Sequence, residues 1–481
     1  MHRLILLPFL LAASCSPRPD PSVSAVMGPV GERVDTYLMS LEAAGFSGAV
    51  IVKTPDGIVL RKGYGLAEDS TATAYTPETV STVGSITKQF TAAAVLLLES
   101  EGKLSVEDPI TRFFKGVPQD KQAITLHQLL SHTAGFPGAI GDDFASGGRD
   151  AWVAEALATP LDYAPGAGYG YSNTGYSLLA AVVEIVAETG YEQFLRDRLF
   201  LEAGMPDTGY LLPSWENRFV AVGYREGRRW GRFAERGWAT DGVSWNLVGN
   251  GGIHSTPDDM MRWDAALADG SVLPAEQVEK MYGRYGPDSP AEDAWYGYGW
   301  MVWPTPRGTR LIKHNGGNGI FYADFLRFVD EETSIFLVTN RSTRASSRLG
   351  WTLADLVFDP AAVPPAAQWI APDLEDFPDT PQGATVRGLV ELLSRGVEAD
   401  IRPFIETRFA PSFLEVAPMD EHMRILGIVQ QEMYGRAVSR IRGDGFSYTV
   451  ELVTDDGRPP LSLSVELGGP SPDLITGIGV E

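Results

Sequence analysis

The chain has 481 residues, of which 44% are hydrophobic and 21% are charged, a balance typical of globular proteins. Its 62 acidic residues outnumber its 39 lysines and arginines, and the resulting net charge of −23 excludes nucleic acid as an expected partner. A single cysteine rules out an intramolecular disulfide, and six histidines leave little material for a metal cluster. We therefore expect neither a metal nor a cofactor.

The N-terminus carries the pattern of an export signal. Met-His-Arg precedes an apolar run from Leu4 to Ala13, and Cys15 follows Ala12-Ala13-Ser14. This run is too short to span a bilayer of about 30 Å, which favours a cleaved signal peptide over a membrane helix. Small residues before the cysteine resemble a lipobox, although Ala12 stands where leucine is usual. We expect an exported, periplasmic lipoprotein anchored to the membrane only through Cys15, with plain secretion and cleavage near Cys15 as the alternative.

The next part of the chain alternates between helix and strand patterns. Apolar residues recur at helical spacing from Val30 to Ala44. The β-rich runs Ala49–Val52 and Ile58–Leu60 flank Thr54-Pro55-Asp56-Gly57, whose proline and glycine favour a hairpin turn. From Gly84 to about Leu267 the sequence predicts mostly helices and glycine-rich loops.

Strand patterns return after residue 308. They cover Thr309–Lys313, Ile320–Val329 and Thr333–Asn340, and a helix is predicted from about Thr343 to Val357. Strands at both ends of this region, with helices between them, predict one antiparallel sheet beside an inserted helical lobe.

A second, smaller domain is predicted after a linker rich in Pro, Ala and Asp. Its helices are predicted at Val386–Leu393, Ile401–Phe409 and Glu421–Met433, and its strands at Ala437–Ile441, Phe446–Val453, Leu461–Leu467 and Leu474–Val480. Helices followed by antiparallel strands predict a small α+β domain, in an order that resembles the NTF2-like fold. The predicted divisions are a signal peptide at 1–14, a tether at 15–29, a first domain at 30–358, a linker at 359–382 and a second domain at 383–481.

The clearest chemical motif is Ser85-Ile86-Thr87-Lys88 at the start of a strong predicted helix. Residues three apart share a helix face, so the Lys88 amine can reach the Ser85 hydroxyl. A desolvated lysine can take the serine proton, and the positive end of the helix dipole favours an oxyanion. The alternative is a helix-capping Ser85 with an exposed Lys88. Ser100-Glu101-Gly102-Lys103 repeats the spacing where Gly102 ends the helix, and there we predict a solvated helix end.

A second motif, Tyr171-Ser172-Asn173, lies in a glycine-rich loop just before the predicted helix Ser177–Val186. A cationic lysine beside the phenol would lower the pKa of Tyr171, which could then shuttle a proton between Ser85 and a leaving group. The alternative interpretation is a capping Asn173 with a packed Tyr171.

A third motif, His314-Asn315-Gly316-Gly317, follows a predicted strand. Glycines at a strand edge let a substrate approach the backbone, and the amide of Gly317 could join that of Ser85 as a second oxyanion donor. We expect His314 and Gly316 to contact the substrate, with the His314 side chain facing the cleft. The chain lacks the Gly-x-Ser-x-Gly, His-Glu-x-x-His and Walker motifs, and with them the signatures of α/β-hydrolases, zincins and nucleotide enzymes.

Taken in order, these motifs resemble the serine β-lactamase and penicillin-binding protein family, in the branch with class C β-lactamases, D-stereospecific peptidases and lactamase-like esterases. The resemblance covers about Val30 to Val357, with supporting segments at Ile124–Gly135, Leu199–Met205 and Gly249–Thr256. It implies a β-lactamase-like fold, with an antiparallel sheet flanked by helices and a helical lobe. With the small α+β domain predicted after it, the expected fold class is an α+β/α multi-domain protein.

The resemblance also implies a role for each motif residue. Ser85 would be the acylated nucleophile, Lys88 its partner base and Tyr171 the proton shuttle, while Asn173 would contact the substrate amide or acyl chain. His132 is implied to be structural and is not placed in the site.

The third motif departs from the Lys-Thr-Gly of the lactamases, because His314 is mostly neutral at pH 7. This favours an esterase or D-amino-acid, peptidoglycan-type peptidase, acting through an acyl-enzyme on a small-molecule or peptide substrate, over a true β-lactamase. The alternative is a catalytically silent penicillin-binding-like protein that binds cell-wall peptides. The sequence makes no prediction of the oligomeric state.

Overall fold

The computed structural model describes residues 24–215, 218–225, 227–236, 242–369, 373–395, 401–414, 417–443, 446–454, 457–468 and 471–480. The chain divides into two compact units, residues 1–367 and 368–481. The predicted signal peptide and Cys15 lie outside the described residues.

A nine-stranded antiparallel sheet forms the frame of the first unit. In spatial order its strands are Ala25–Val26, Gly57–Tyr64, Gly48–Thr54, Thr333–Thr339, Tyr322–Phe328, Arg310–Gly317, Met301–Pro304, Ala294–Tyr296 and Gly286–Ser289. The strand Thr333–Thr339 pairs with Gly48–Thr54, with Leu337 opposite Val50. The predicted antiparallel sheet, built from both ends of the domain, is therefore confirmed.

The sheet extends beyond the predicted strands at both edges. Ala25–Val26, expected within the tether, pairs with Arg61 and Leu60, and a helix already begins at Gly28. At the other edge, the strands between residues 286 and 304 have only three or four residues each. Strands this short do not show the alternation of apolar and polar residues by which a strand is predicted from sequence. They form because a neighbouring strand is available for pairing.

Helices cover both faces of this sheet. The α-helices in the described part of the first unit are Gly28–Ala43, Thr87–Ser100, Leu126–Leu130, Arg149–Ala158, Asn173–Ala187, Tyr191–Leu195, Pro257–Asp269, Ala275–Met281 and Ser346–Phe358. On one face, Arg33 Nη2 donates to the Leu356 carbonyl at 3.0 Å and joins the first and last of these helices. On the opposite face, Asp264 accepts hydrogen bonds from Arg327 Nε at 2.6 Å and from Lys53 Nζ at 3.0 Å.

The helix Thr87–Ser100 lies inside the helical lobe. Its sequence is apolar on almost every side, and Thr87 to Leu96 are all buried. Phe90 makes edge-to-face contacts with Phe200 and Trp263, with ring centroids 5.0 Å and 4.9 Å apart. A helix that is apolar all round is stable only when other elements surround it, so this helix holds its N-terminus at a fixed position. None of the helices in the described part of the chain is long and apolar enough to cross a membrane.

The second unit is a small α+β body with its own apolar core. Its helices are Pro381–Ser394, Arg402–Arg408, Pro411–Leu414 and Met419–Met433, and its sheet contains, in spatial order, Asp373–Leu374, Ala437–Gly443, Ser447–Val453, Leu461–Leu467 and Ile475–Val480. The first of these strands lies in the predicted linker, where Asp373 pairs with Arg442. The boundary of the second unit therefore lies earlier in the chain than residue 383.

Candidate active site

Ser85 lies on the short 3-10 turn Gly84–Ile86, which leads directly into the helix Thr87–Ser100. Gly84 adopts φ +53°, a conformation that glycine enters without steric cost. A Cβ at Gly84 would lie 2.8 Å from both the Gly316 carbonyl carbon and the Gly317 nitrogen. The backbone of the turn that carries Ser85 therefore packs directly against the backbone of Gly316 and Gly317 in the third motif.

Gly316 makes the same contact from the strand side. A Cβ there would lie 2.0 Å from the Val83 carbonyl oxygen and 2.5 Å from the Ser85 nitrogen. Only a residue without a side chain fits, and the end of the strand Arg310–Gly317 can then lie against the serine turn. As a result, Ser85, Gly316 and Gly317 line the same cleft.

Lys88 is completely buried beneath Ser85. Its Nζ donates to Asn173 Oδ1 at 2.7 Å and to the Asn250 carbonyl at 2.7 Å, and it lies within hydrogen-bond distance of Ser85 Oγ, at 3.2 Å. Burial lowers the pKa of Lys88 well below its ordinary value, and the charge of Asp143 opposes that shift. The alternative of an exposed lysine is therefore wrong, and the neutral amine that a proton acceptor needs is favoured.

Tyr171 completes the group around Lys88. The Lys88 Nζ lies 4.7 Å from the centroid of the Tyr171 ring. Burial raises the pKa of Tyr171, and a hydrogen bond with Ser85 only partly offsets this. The expectation of a lowered pKa is wrong, because desolvation of the phenolate outweighs any attraction to a lysine that is itself biased toward neutrality. The phenol keeps its proton and can act as a hydrogen-bond donor.

Asn173 is the first residue of the helix Asn173–Ala187 but does not cap it. The cap is Ser172, whose Oγ accepts from the Gly175 amide at 3.1 Å. The capping alternative for Asn173 is therefore wrong. Its side chain instead accepts a hydrogen bond from Lys88 and lines the cleft.

His132 holds the loop that carries Tyr171. Its backbone is in the left-handed region, with φ +60°, and its carbonyl accepts from the Gly170 amide at 3.0 Å. Its Nδ1 accepts from the Ser172 amide at 3.0 Å, and its ring centroid lies 4.4 Å from those of both Tyr171 and Tyr296. Burial lowers the pKa of His132 well below its ordinary value, so the imidazole ring that supports this loop is uncharged.

The structure places His314 differently from the prediction. The side chain is only 1% exposed, and its Nε2 lies 2.9 Å from the Tyr296 hydroxyl. Its ring stands 6.2 Å from the Tyr171 ring, behind the cleft rather than in its lining. The expectation that His314 faces the substrate is therefore wrong, because the strand continues through the motif and turns this side chain inward. Burial lowers the pKa of His314 to about 3, so the ring is neutral.

The empty space beside Ser85, counted together with the open solvent at the mouth of the cleft, is about 490 Å³. Sequence reasoning missed several contributors, among them Asp143 in the lining and the Asn250 carbonyl that accepts from Lys88. Asp143 belongs to no motif, and a carbonyl is not encoded by residue identity, although the run Gly249–Gly252 marks an unusual loop. Within the described ranges, no group of three or more His, Cys, Asp or Glu side chains is placed to hold a metal ion.

Comparison with known proteins agrees with this geometry. The sequence profile of the β-lactamase family matches residues 34–358. Penicillin-binding protein 4* of Bacillus subtilis (strain 168) is 26% identical over 326 residues, which cover 62% of this chain and 68% of that protein. D-alanyl-D-alanine-carboxypeptidase/endopeptidase AmpH of Escherichia coli (strain K12) is 27% identical over 293 residues, covering 55% of this chain and 72% of that protein.

A solved structure shares the fold over most of the chain. The octameric penicillin-binding protein homologue from Pyrococcus abyssi superposes with a TM-score of 0.62 and 20% identity, covering 92% of this chain and 95% of that one. The family profile, in turn, spans nearly the whole described part of the first unit. The chain therefore belongs to the β-lactamase family, a superfamily of serine hydrolases and penicillin-binding proteins.

Proposed function

We propose that the protein is a serine hydrolase that cleaves an ester or amide through an acyl-enzyme on Ser85. The observation that carries this proposal is the contact between Ser85 Oγ and Lys88 Nζ at 3.2 Å, in a setting where burial favours the neutral amine. Similarity to a relative named as a D-alanyl-D-alanine carboxypeptidase supports an activity of this class.

Acylation begins with proton transfer from Ser85 Oγ to Lys88 Nζ. The oxygen attacks the substrate carbonyl carbon, and the carbonyl π electrons move onto its oxygen. The amides of Ser85 and Gly317 receive this oxyanion, supported by the close contact between Gly84 and Gly316.

The leaving group then needs a proton. Tyr171 retains its own proton and contacts Ser85, so it can donate to the departing oxygen or nitrogen and recover a proton from the Lys88 ammonium. The C–O or C–N bond breaks, and the acyl group remains on Ser85. Water next attacks the acyl carbon and gives one proton to Lys88, with Tyr171 as relay. The bond between the acyl carbon and Ser85 Oγ then breaks, Lys88 returns the proton to Ser85 Oγ, and the carboxylic acid leaves.

Two neighbouring groups have supporting roles in this proposal. Asn173 contacts the acyl chain or its amide from the cleft lining, and the backbone of Gly316 forms the opposite wall. His314 acts only from behind Tyr171, through Tyr296. Because this histidine is neutral, an esterase or D-amino-acid peptidase is favoured over a β-lactamase that must hold a carboxylate.

Labelling with a fluorescent fluorophosphonate tests the proposal. We expect one labelled band, which Ser85→Ala abolishes and Ser100→Ala leaves intact, together with Ser85-dependent hydrolysis of p-nitrophenyl esters. Circular dichroism verifies that both variants are folded. Labelling that survives Ser85→Ala would overturn the assignment, whereas labelling without turnover would favour a silent penicillin-binding-like protein.

Two further expectations belong with this proposal. We propose an NTF2-like fold for the second unit, supported by its order of helices and strands. As the other expectation, we propose export as a lipoprotein acylated at Cys15, supported by relatives named as penicillin-binding proteins. Incorporation of labelled palmitate that Cys15→Ser removes would support the lipoprotein proposal, and a wild-type protein that incorporates no palmitate would contradict it.

A further inference from the structure

The described lining of the cleft beside Ser85 has a negative charge that no lining cation balances. Among the described residues that line it, Asp143 alone has a formally charged side chain. Lys88 is fully buried, and burial favours its neutral form. A substrate in this cleft therefore meets one carboxylate and no compensating surface cation from these residues.

The loop that carries Asp143 is fastened on both sides of this residue. Asn246 Nδ2 donates to the Asp142 carbonyl at 2.7 Å, and the Phe144 ring packs against Phe233 with centroids 5.7 Å apart. Phe233 itself lines the cleft. Asp143 thus occupies a defined position rather than a free loop tip.

The same loop is joined to the segment that follows Tyr171. The Asn173 amide donates to the Gly138 carbonyl at 2.8 Å, and Ser172 Oγ donates to the Pro137 carbonyl at 2.8 Å. These bonds hold the loop next to Asn173, which lines the same cleft as Asp143. An acyl chain that contacts Asn173 in this cleft therefore lies in the same space that Asp143 lines.

The Asp143 carboxylate is also available for binding. It is exposed to solvent, and among the residues that the structure describes it has no hydrogen-bond or ion-pair partner. An unpaired carboxylate in a concave site attracts ammonium groups and repels other carboxylates.

We infer that Asp143 binds an ammonium group on the acyl part of the substrate, so that the enzyme prefers aminoacyl esters and amides to substrates bearing a carboxylate. This inference rests on the proposed hydrolase and names its substrate class. It agrees with the third motif, where a buried neutral His314 supplies no cation for a substrate carboxylate.

The experiment compares the 4-nitroanilides of D-alanine, N-acetyl-D-alanine and N-succinyl-D-alanine, which carry a cation, a neutral amide and an anion near the same carbonyl. We expect kcat/KM to fall in that order. Asp143→Asn should lower the ratio of cationic to neutral substrate about tenfold, because it removes a charge-assisted contact. Added sodium chloride should reduce the same ratio in the wild-type protein.

Asp142→Asn is the matched control. It removes the same charge one residue away, and its amide oxygen can still accept the Phe144 amide as Asp142 does. We expect its ratio to stay within about twofold of the wild type. An unchanged ratio in Asp143→Asn, or an equal change in Asp142→Asn, would overturn the inference.

Binding separates this inference from the proposed catalysis. In calorimetric titrations, D-alaninamide should bind the wild-type protein more tightly than its N-acetyl derivative, and Asp143→Asn should remove the difference. Equal binding of the two ligands by the wild type would overturn the ammonium site. Ser85-dependent hydrolysis of the neutral anilide would, in that case, still support the hydrolase.

Discussion

One helix carries two Ser-x-x-Lys sequences, one at each end, and only the first lies in an environment suited to catalysis. At the N-terminus Lys88 is fully buried and bonded to Ser85, Asn173 and Asn250. At the C-terminus the side chain of Lys103 is 46% exposed, and its amine pairs with Glu101 at 2.8 Å.

The serines differ as sharply as the lysines. Ser100 Oγ donates to the Leu97 carbonyl one turn back along its own helix. Ser85 instead lies beside the glycine contact with the strand Arg310–Gly317 and lines the cleft. The two sequences have the same spacing but different environments. Only Ser85 and Lys88 combine a buried lysine, the positive end of the helix dipole and a neighbouring strand.

The largest effect should come from Lys88→Arg. Guanidinium does not release its proton near neutral pH, so we expect kcat/KM for a neutral ester to fall about a thousandfold or more. Lys103→Arg should stay within about twofold of the wild type. Thermal unfolding of both variants checks the fold, and near wild-type kinetics for a folded Lys88→Arg protein would show that Lys88 is not the base.

Glycines at the two ends give a second paired test. Gly84 and Gly102 both have positive φ, +53° and +70°, so alanine strains both backbones. Only at Gly84 would the new Cβ meet another chain segment, since nothing lies within 4 Å at Gly102. We expect Gly84→Ala to lower kcat about a hundredfold by displacing an oxyanion donor, while Gly102→Ala costs only about 1 kcal/mol of stability. Equal kinetics in the two variants would contradict this.

Loss of the aromatic support at the first site should have a moderate effect. Asparagine tolerates the left-handed backbone of His132 but lacks the ring that contacts Tyr171. We expect His132→Asn to lower kcat about tenfold with little change in KM, since Tyr171 would be less well placed. A rise in KM with unchanged kcat would indicate that His132 shapes binding instead.

The smallest effect should be on the pH dependence of stability. Burial lowers the pKa of Lys88 in the folded protein, whereas an unfolded lysine keeps its proton up to about pH 10.4. Between these two values the unfolded chain binds more protons, so the free energy of unfolding rises with pH in that window. Urea titrations should show this rise in the wild type and in Lys103→Met but not in Lys88→Met. A rise of equal size in all three would assign it to another group.

The sequence predicted those parts of the fold and site that depend on residue identity and local pattern. The hairpin around Gly57 and the strands around His314 follow from alternation and turn chemistry. Motif spacing and the family resemblance singled out Ser85, Lys88, Tyr171 and Asn173, and the structure brings these four side chains together.

The features that were missed depend on tertiary surroundings. Burial raises the pKa of Tyr171, and the inward orientation of His314 depends on a strand that continues through its motif. The Asn250 carbonyl reaches Lys88 only because two loops meet, and Asp143 enters the cleft lining through a loop without a motif. None of these follows from spacing along the chain.

The pairing of distant strands in the main sheet determines when the site around Ser85 can assemble during biosynthesis. Thr339 Oγ1 donates to the Ser47 carbonyl at 2.7 Å, a bond between residues 292 positions apart. A nascent chain cannot close this part of the sheet until Thr333–Thr339 has left the ribosome, so contacts of this length form late. The strand that bears Gly316 pairs with Tyr322–Phe328, which in turn pairs with that late strand. Ser85 is therefore made early in translation but meets Gly316 and Gly317 only when almost the whole first unit exists, so the proposed site cannot assemble on a shorter chain.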